Sequence, residues 1–174
     1  MHLLFYHTSI KKMDYLQIIN NKICEKQHLS KIIAGYRLKN QTIIFTNGCF
    51  DILHRGHVTY LAQAASLGHK LIVGINSDQS VSKLKGPHRP IQDQQSRSLI
   101  MASMHVVSNV IIFDEDTPLE LIEIIRPDFL VKGGDWRPEQ IVGAPLVQSY
   151  GGKVLSIPFV EGFSTTSIEA RIKS

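Results

Sequence analysis

Residues Thr42–His57, TIIFTNGCFDILHRGH, decide the fold. The stretch opens with a β-branched and aromatic run, Thr42-Ile43-Ile44-Phe45-Thr46, too short for a helix and flanked by polar residues. That is the pattern of a buried parallel strand. Asn47-Gly48 breaks the run, and His54-Arg55-Gly56-His57 leads into an amphipathic segment, Val58–Leu67, which is expected to be helical. Strand, tight turn and helix start in that order make the first half of a βαβ unit. A helix start offers unpaired backbone N–H groups and the positive end of the helix dipole, a natural seat for phosphate. His54 and His57, three apart, can share one face there. Gly56 between them removes a Cβ where a phosphate would approach the backbone. The alternative is a structural turn, but the surrounding order of strand, glycines and helix start favours a nucleotide phosphate site. The other six of the eight histidines have no such setting and read as surface or satisfied core.

Working outward, 174 residues suit one domain with a proper core. The hydrophobic fraction of 43% and charged fraction of 20% are those of an ordinary globular protein. A net charge of +4 suits a small anionic substrate, yet no dense Lys/Arg block exists to track a nucleic-acid backbone. Cys24 and Cys49 lie far apart and form neither a disulfide framework nor a metal-ligand cluster. The amino terminus lacks the run of a signal peptide, and no segment approaches the length of a membrane span. A cytoplasmic protein with no membrane or nucleic-acid partner is expected.

Residues 1–40 read as a tail followed by one or two helices over Asp14–Leu38, a packing or dimerising extension that makes a homodimer plausible. The domain proper is 41–174. Beyond the opening unit, strands are expected at Lys70–Asn76, Asn109–Phe113, Asp128–Val131 and Lys153–Pro158. Helices are expected at Gln94–His105, Pro118–Ile125 (capped by Asp116-Thr117), Pro138–Tyr150 (interrupted at Gly143 and Pro145) and Ser167–Lys173. Ser77–Pro90 reads as a polar loop at the carboxyl end of a strand, where ligands bind in open α/β sheets. The fold class is therefore α/β, a doubly wound, five-stranded parallel sheet of Rossmann-like type. No G-x-x-x-x-G-K-[ST] loop is present, and no G-x-G-x-x-G follows the first strand, so a P-loop NTPase and a dinucleotide oxidoreductase are disfavoured.

His54-x-Gly56-His57 after a first strand resembles the signature of the nucleotidyltransferase superfamily that shares the class I tRNA-synthetase-like fold. Ser164-Thr165-Thr166-Ser167 resembles the second signature of its small-molecule members. FTNGCFDILHRGH, INSDQSVSKLKGPHRPI, DTPLELIEIIRPDFLVKGGDW and EGFSTTSI together are similar to the adenylyltransferase domain for D-glycero-D-manno-heptose 1-phosphate, from about Gln41 onward. In many bacteria that domain is fused behind a sugar kinase; with some forty residues preceding it here, the chain resembles a stand-alone form.

The resemblance implies transfer of AMP from ATP to heptose 1-phosphate, giving ADP-heptose and pyrophosphate, with Mg²⁺ accompanying the ATP and no dedicated metal site. It implies catalytic roles for His54, His57 and Lys85. It places Cys49, Phe50, Gly56, Arg97, Gly134 and Asp135 on the nucleotide, with Ser164, Thr165, Thr166 and Ser167 gripping its outer phosphates. Lys83, Arg89 and Trp136 are implied on the sugar phosphate. Asp51 reads as a buried aspartate bracing the turn. The attacking phosphate oxygen is already anionic, so the site needs alignment and charge absorption rather than a general base.

One alternative is a cytidylyltransferase for glycerol 3-phosphate or a phospho-amino-alcohol. Those relatives carry Arg-Thr-Glu-Gly before Ser-Thr-Thr, where Phe159-Val160-Glu161-Gly162 stands here. Another is a non-catalytic nucleotide-binding protein of the same fold, against which stands the joint presence of the histidines, lysines and hydroxyl cluster.

Overall fold

The computed structural model describes residues 13–160 and 162–173; the tail expected over residues 1–12 and the residue Glu161 lie outside them. Five parallel strands form one sheet in the order β3-β2-β1-β4-β5. They are β1 (Ile43–Gly48), β2 (Lys70–Asn76), β3 (Asn109–Phe113), β4 (Phe129–Gly133) and β5 (Lys153–Ile157). β1 is central, with Ile44 opposite Leu71 of β2 on one side and Phe129 of β4 on the other. Its alternating side chains feed both faces, as a doubly covered strand must. Ile43 and Phe45 join a core with α2 (Lys26–Leu38), α6 (Leu119–Ile125) and α7 (Ala144–Ser149). Ile44 joins the opposite core with α3 (Arg55–Ala65) and α5 (Gln94–Ser103). Among the described residues, no helix is long and apolar enough to cross a membrane.

The extension before the sheet is two helices, α1 (Tyr15–Asn20) and α2, and it is packed into the domain. Leu29 is fully buried in the core. The link between the helices shields the β3 edge: Cys24 N–H donates to the Val110 carbonyl at 2.9 Å, and Val110 N–H donates to that of Lys22 at 2.9 Å. Covering an open edge in this way removes a template for aggregation.

Four local expectations change. Ser77–Pro90 is not all loop: α4 (Asp78–Lys85) forms, with the Ser77 hydroxyl accepting from Ser80 N–H as its cap. Its apolar content is small, so burial of Val81 carries it rather than a full amphipathic stripe. Pro138–Tyr150 divides into a 3-10 turn at Pro138–Gln140 and α7, because Gly143 adopts φ +85°. Pro145 lies in the first turn of α7 and starts the helix rather than interrupting it. α6 has Pro118 at its cap position with no side-chain bond, so Asp116-Thr117 does not cap it. The last helix, α8 (Thr165–Lys173), begins two residues before its expected start.

Candidate active site

β1 connects to β2 on one side of the sheet and lies beside β4 on the other, so the chain leaves the carboxyl ends of β1 and β4 in different directions. Such a switch point opens a crevice in parallel sheets. A cleft of about 550 Å³ occupies it, lined by Asn47, Cys49, His57, Lys85, Lys132 and Thr165 among others. The floor is the turn after β1, where Phe50 has φ +47°, a left-handed conformation costly for an aromatic residue. Asp51 holds this turn. Only 2% exposed, it accepts from the N–H groups of Ile91 and Gln92, each at 2.9 Å, and pairs with the Arg89 guanidinium at 2.6 Å. Despite the burial, these partners hold its carboxyl below the usual range.

His54 caps α3 and stacks on His57, with ring centroids 3.9 Å apart. Phe50 and Phe159 present edges to the His57 ring at 5.4 and 6.2 Å. This apolar enclosure pushes the His57 imidazole down to about 4, with smaller contributions from His54 and Lys85. Burial also lowers His54, whose Nδ1 is buried without a hydrogen-bond partner among the described residues. Both rings are therefore neutral near pH 7. A bound polyanion would supply the missing partner and favour their protonation. A Cβ on Gly56 would lie 3.0 Å from the His54 ring, so the glycine is needed to let that ring fold back over the helix start.

Lys132 was not singled out by sequence, where it is only a lysine near the end of an apolar strand. Burial lowers its ammonium, whose nearest hydrogen-bonding partners are the Asn47 carbonyl and side-chain oxygen, each 3.4 Å away. Lys132 and Asn47 also line a second, mostly apolar pocket of about 460 Å³ with Pro118, Trp136, Ile141 and Val142. Lys132 thus stands in the wall between two cavities. A buried cation without an anion is costly unless a ligand brings one. The signal in sequence was its place at the carboxyl edge of β4, beside the switch point.

The other expected site residues fall into three groups. Lys85, Cys49, Phe50 and Thr165 line the cleft. At the start of α8, Ser167 N–H donates to the Ser164 hydroxyl at 3.0 Å and Ser164 N–H to that of Ser167 at 3.2 Å, so these two close a reciprocal cap. Thr166 is exposed beside them. Trp136 belongs to the second pocket, its indole N–H donating to the Gly133 carbonyl at 3.2 Å. Gly134 makes that fold possible with φ +113°, while Asp135 is exposed on the same turn.

Three expected cations have protein partners in this structure. Arg97 is 1% exposed, pairs with Asp78 at 2.7 Å and donates to the Cys49 carbonyl at 2.6 Å. It braces the cleft floor from behind. Arg89, expected on the sugar phosphate, is paired on two sides here, with Asp51 and with Glu169 of α8. Lys83 points outward on α4, 4.0 Å from Asp116 and outside both pockets. In each case the charge was legible and the carboxylate that takes it, distant in sequence, was not.

A histidine pair on one helix start, a hydroxyl cluster on a second and half-buried Lys132 meet at the switch point of a parallel sheet, the α/β architecture of the HxGH class. The cytidylyltransferase-like family model matches residues 45–171, and the chain belongs to that family. It is 53% identical over 153 residues to "Bifunctional protein HldE" of Trichlorobacter lovleyi, covering 88% of this chain and 31% of that protein. The protein of the same name from Caulobacter vibrioides is 50% identical, with 88% and 32% covered. The chain therefore spans about a third of the length of these relatives. Among solved structures, a lipopolysaccharide core biosynthesis protein from Thermoplasma volcanium is similar with TM-score 0.56 and 28% identity, over 69% of this chain and 97% of that one. Pantoate-beta-alanine ligase from Francisella tularensis shares the fold, with TM-score 0.57 at 19% identity, over 87% of this chain and 76% of the ligase.

Proposed function

We propose that this chain is an adenylyltransferase that joins the AMP moiety of ATP to D-glycero-D-manno-heptose 1-phosphate, producing ADP-heptose and pyrophosphate in the cytoplasm. The observation that carries the reading is Lys132, an anion-seeking ammonium in the wall shared by a polar cleft and an apolar pocket. The triphosphate would lie in the cleft between the α3 and α8 helix starts, and the sugar in the pocket walled by Trp136, Ile141 and Val142. Both substrates' phosphates then meet at Lys132. The apolar wall suits the flat face of a pyranose better than a small polyol, and the similarity to HldE supports the same choice.

In this arrangement the anionic oxygen of the sugar phosphate attacks the α-phosphorus, and the bond to pyrophosphate breaks. No proton need be removed from the attacker. His54 and His57 donate N–H bonds to the triphosphate, Lys132 and Lys85 absorb charge as it redistributes, and Thr165 grips the leaving group. Among the described residues no cluster of three or more His, Cys, Asp or Glu is arranged to hold a metal, and Asp51 is committed to Arg89. Mg²⁺ would accompany the incoming ATP, whose phosphates can supply most of its ligands.

The test is pyrophosphate release with Mg²⁺, crossing ATP, CTP and GTP with both anomers of heptose 1-phosphate and with glycerol 3-phosphate. Turnover confined to ATP and a heptose 1-phosphate is expected, and the productive anomer would be read directly. Turnover with CTP and glycerol 3-phosphate would move the specificity to the cytidylyl branch.

A further inference from the structure

α8 carries Thr165, Thr166 and Ser167 over the cleft, yet none of its residues 165–172 is buried. No core side chain fixes where those hydroxyls stand. Among its contacts are one just before its first turn and one at its middle. At its entry, the Arg55 guanidinium lies over the Phe163 ring at 5.3 Å. Further along, Glu169 pairs with Arg89, whose opposite edge is already clamped on buried Asp51. Arg89 also follows the turn after Lys85, and Ser82 of α4 donates its hydroxyl to the Arg89 carbonyl. Asp51, Arg89 and Glu169 thus form a chain of alternating charge. It runs from the cleft floor, through the segment bearing Lys85, to the helix bearing the hydroxyls.

We propose that Glu169 is a positioning residue that docks α8 onto Arg89, setting the grip of Thr165 and Thr166 on the nucleoside triphosphate without touching a substrate. The Asp51–Arg89 half is the more enclosed, with Arg89 and Asp51 side chains 14% and 1% exposed. The Glu169 half is 26% exposed and is the part that opens. An ion pair so placed is worth a modest free energy, enough to bias a lightly held helix but not to lock it. Its opening would let ATP enter and pyrophosphate leave, while the floor and the histidine pair stay in place. The inference rests on the proposed adenylyl transfer for its kinetic consequence, but its structural part stands apart from it.

The test compares the full chain with its Glu169→Ala and Glu169→Gln variants by amide hydrogen exchange and by steady-state kinetics. Exchange over residues 165–173 is expected to rise about fivefold in Glu169→Ala and less in Glu169→Gln, with the α3 amides unchanged. KM for ATP should rise by a similar factor, while kcat and KM for the sugar phosphate stay within about twofold. Unchanged exchange of α8 in Glu169→Ala would overturn the proposal, as would an equal rise in both KM values. If the wild-type chain releases no pyrophosphate with any substrate pair, the adenylyl-transfer reading fails. The exchange comparison still decides the docking role.

Discussion

The N-termini of α3 and α8 face the same cleft and are anchored in different ways. α3 buries Gly56, Tyr60, Leu61 and Ala64 against the sheet, and the Tyr60 hydroxyl hydrogen-bonds Thr46 of β1 and, at 3.2 Å, the Val131 carbonyl of β4. α8 has no buried residue over 165–172, and its contacts include Phe163 at its entry and Glu169 at its middle. The first helix start is part of the core; the second is attached to its rim. The difference matches two chemical tasks. Groups that align the reacting phosphorus must not drift, whereas groups that hold the outer phosphates must release pyrophosphate after each turnover.

The contrast is broken most forcefully at Lys132, which belongs to the rigid side. Lys132→Met should lower kcat/KM by about 10² to 10³, because the charge proposed to meet the transferred phosphate is lost. The same change should leave thermal stability equal or higher, since an unpaired ammonium no longer has to be desolvated. A paired fluorescence melt and rate assay reads both. A variant that unfolds instead would show that Lys132 supports the fold more than it serves a ligand.

The histidine pair sharpens the comparison through pH. His57 ordinarily titrates near 6.5 and is held near 4 in the fold by burial, so between those values the unfolded chain binds more protons than the native one. Stability is therefore complete above about pH 6.5, falls as pH drops toward 4 and flattens below it. His54 shifts in the same direction. Denaturation across this window should show wild type losing about 2–3 kcal/mol more than His57→Gln. Parallel curves for the two proteins would remove the claim that the ring is held neutral by its enclosure.

The smallest effect belongs to the rim. Thr165→Val keeps shape and removes one hydroxyl, so KM for ATP should rise about tenfold with little change in kcat. A large fall in kcat with unaltered KM would place Thr165 at the reacting phosphorus and erase the division of labour between the helix starts.

The sheet was legible because its strands are short, apolar and punctuated by turn residues, and the α3 start because two histidines and a glycine follow the first strand directly. α4 was hidden by its polar composition; Val81 becomes a core residue only when β2 lies against it. Arg89 and Arg97 were placed on substrates by resemblance alone; their carboxylate partners, 38 and 19 residues away, are visible only in the fold. Lys132 shows the converse. Its value lies in having no anion beside it among the described residues, a property of the folded cleft rather than of any motif.

The most direct test of the account measures pyrophosphate release with MgATP and heptose 1-phosphate for the wild-type chain and His57→Ala side by side, with circular dichroism on both. The account predicts turnover in the wild type, a loss of about 10³ in kcat for the variant and superimposable spectra. Near-wild-type turnover by a well-folded His57→Ala protein would contradict it.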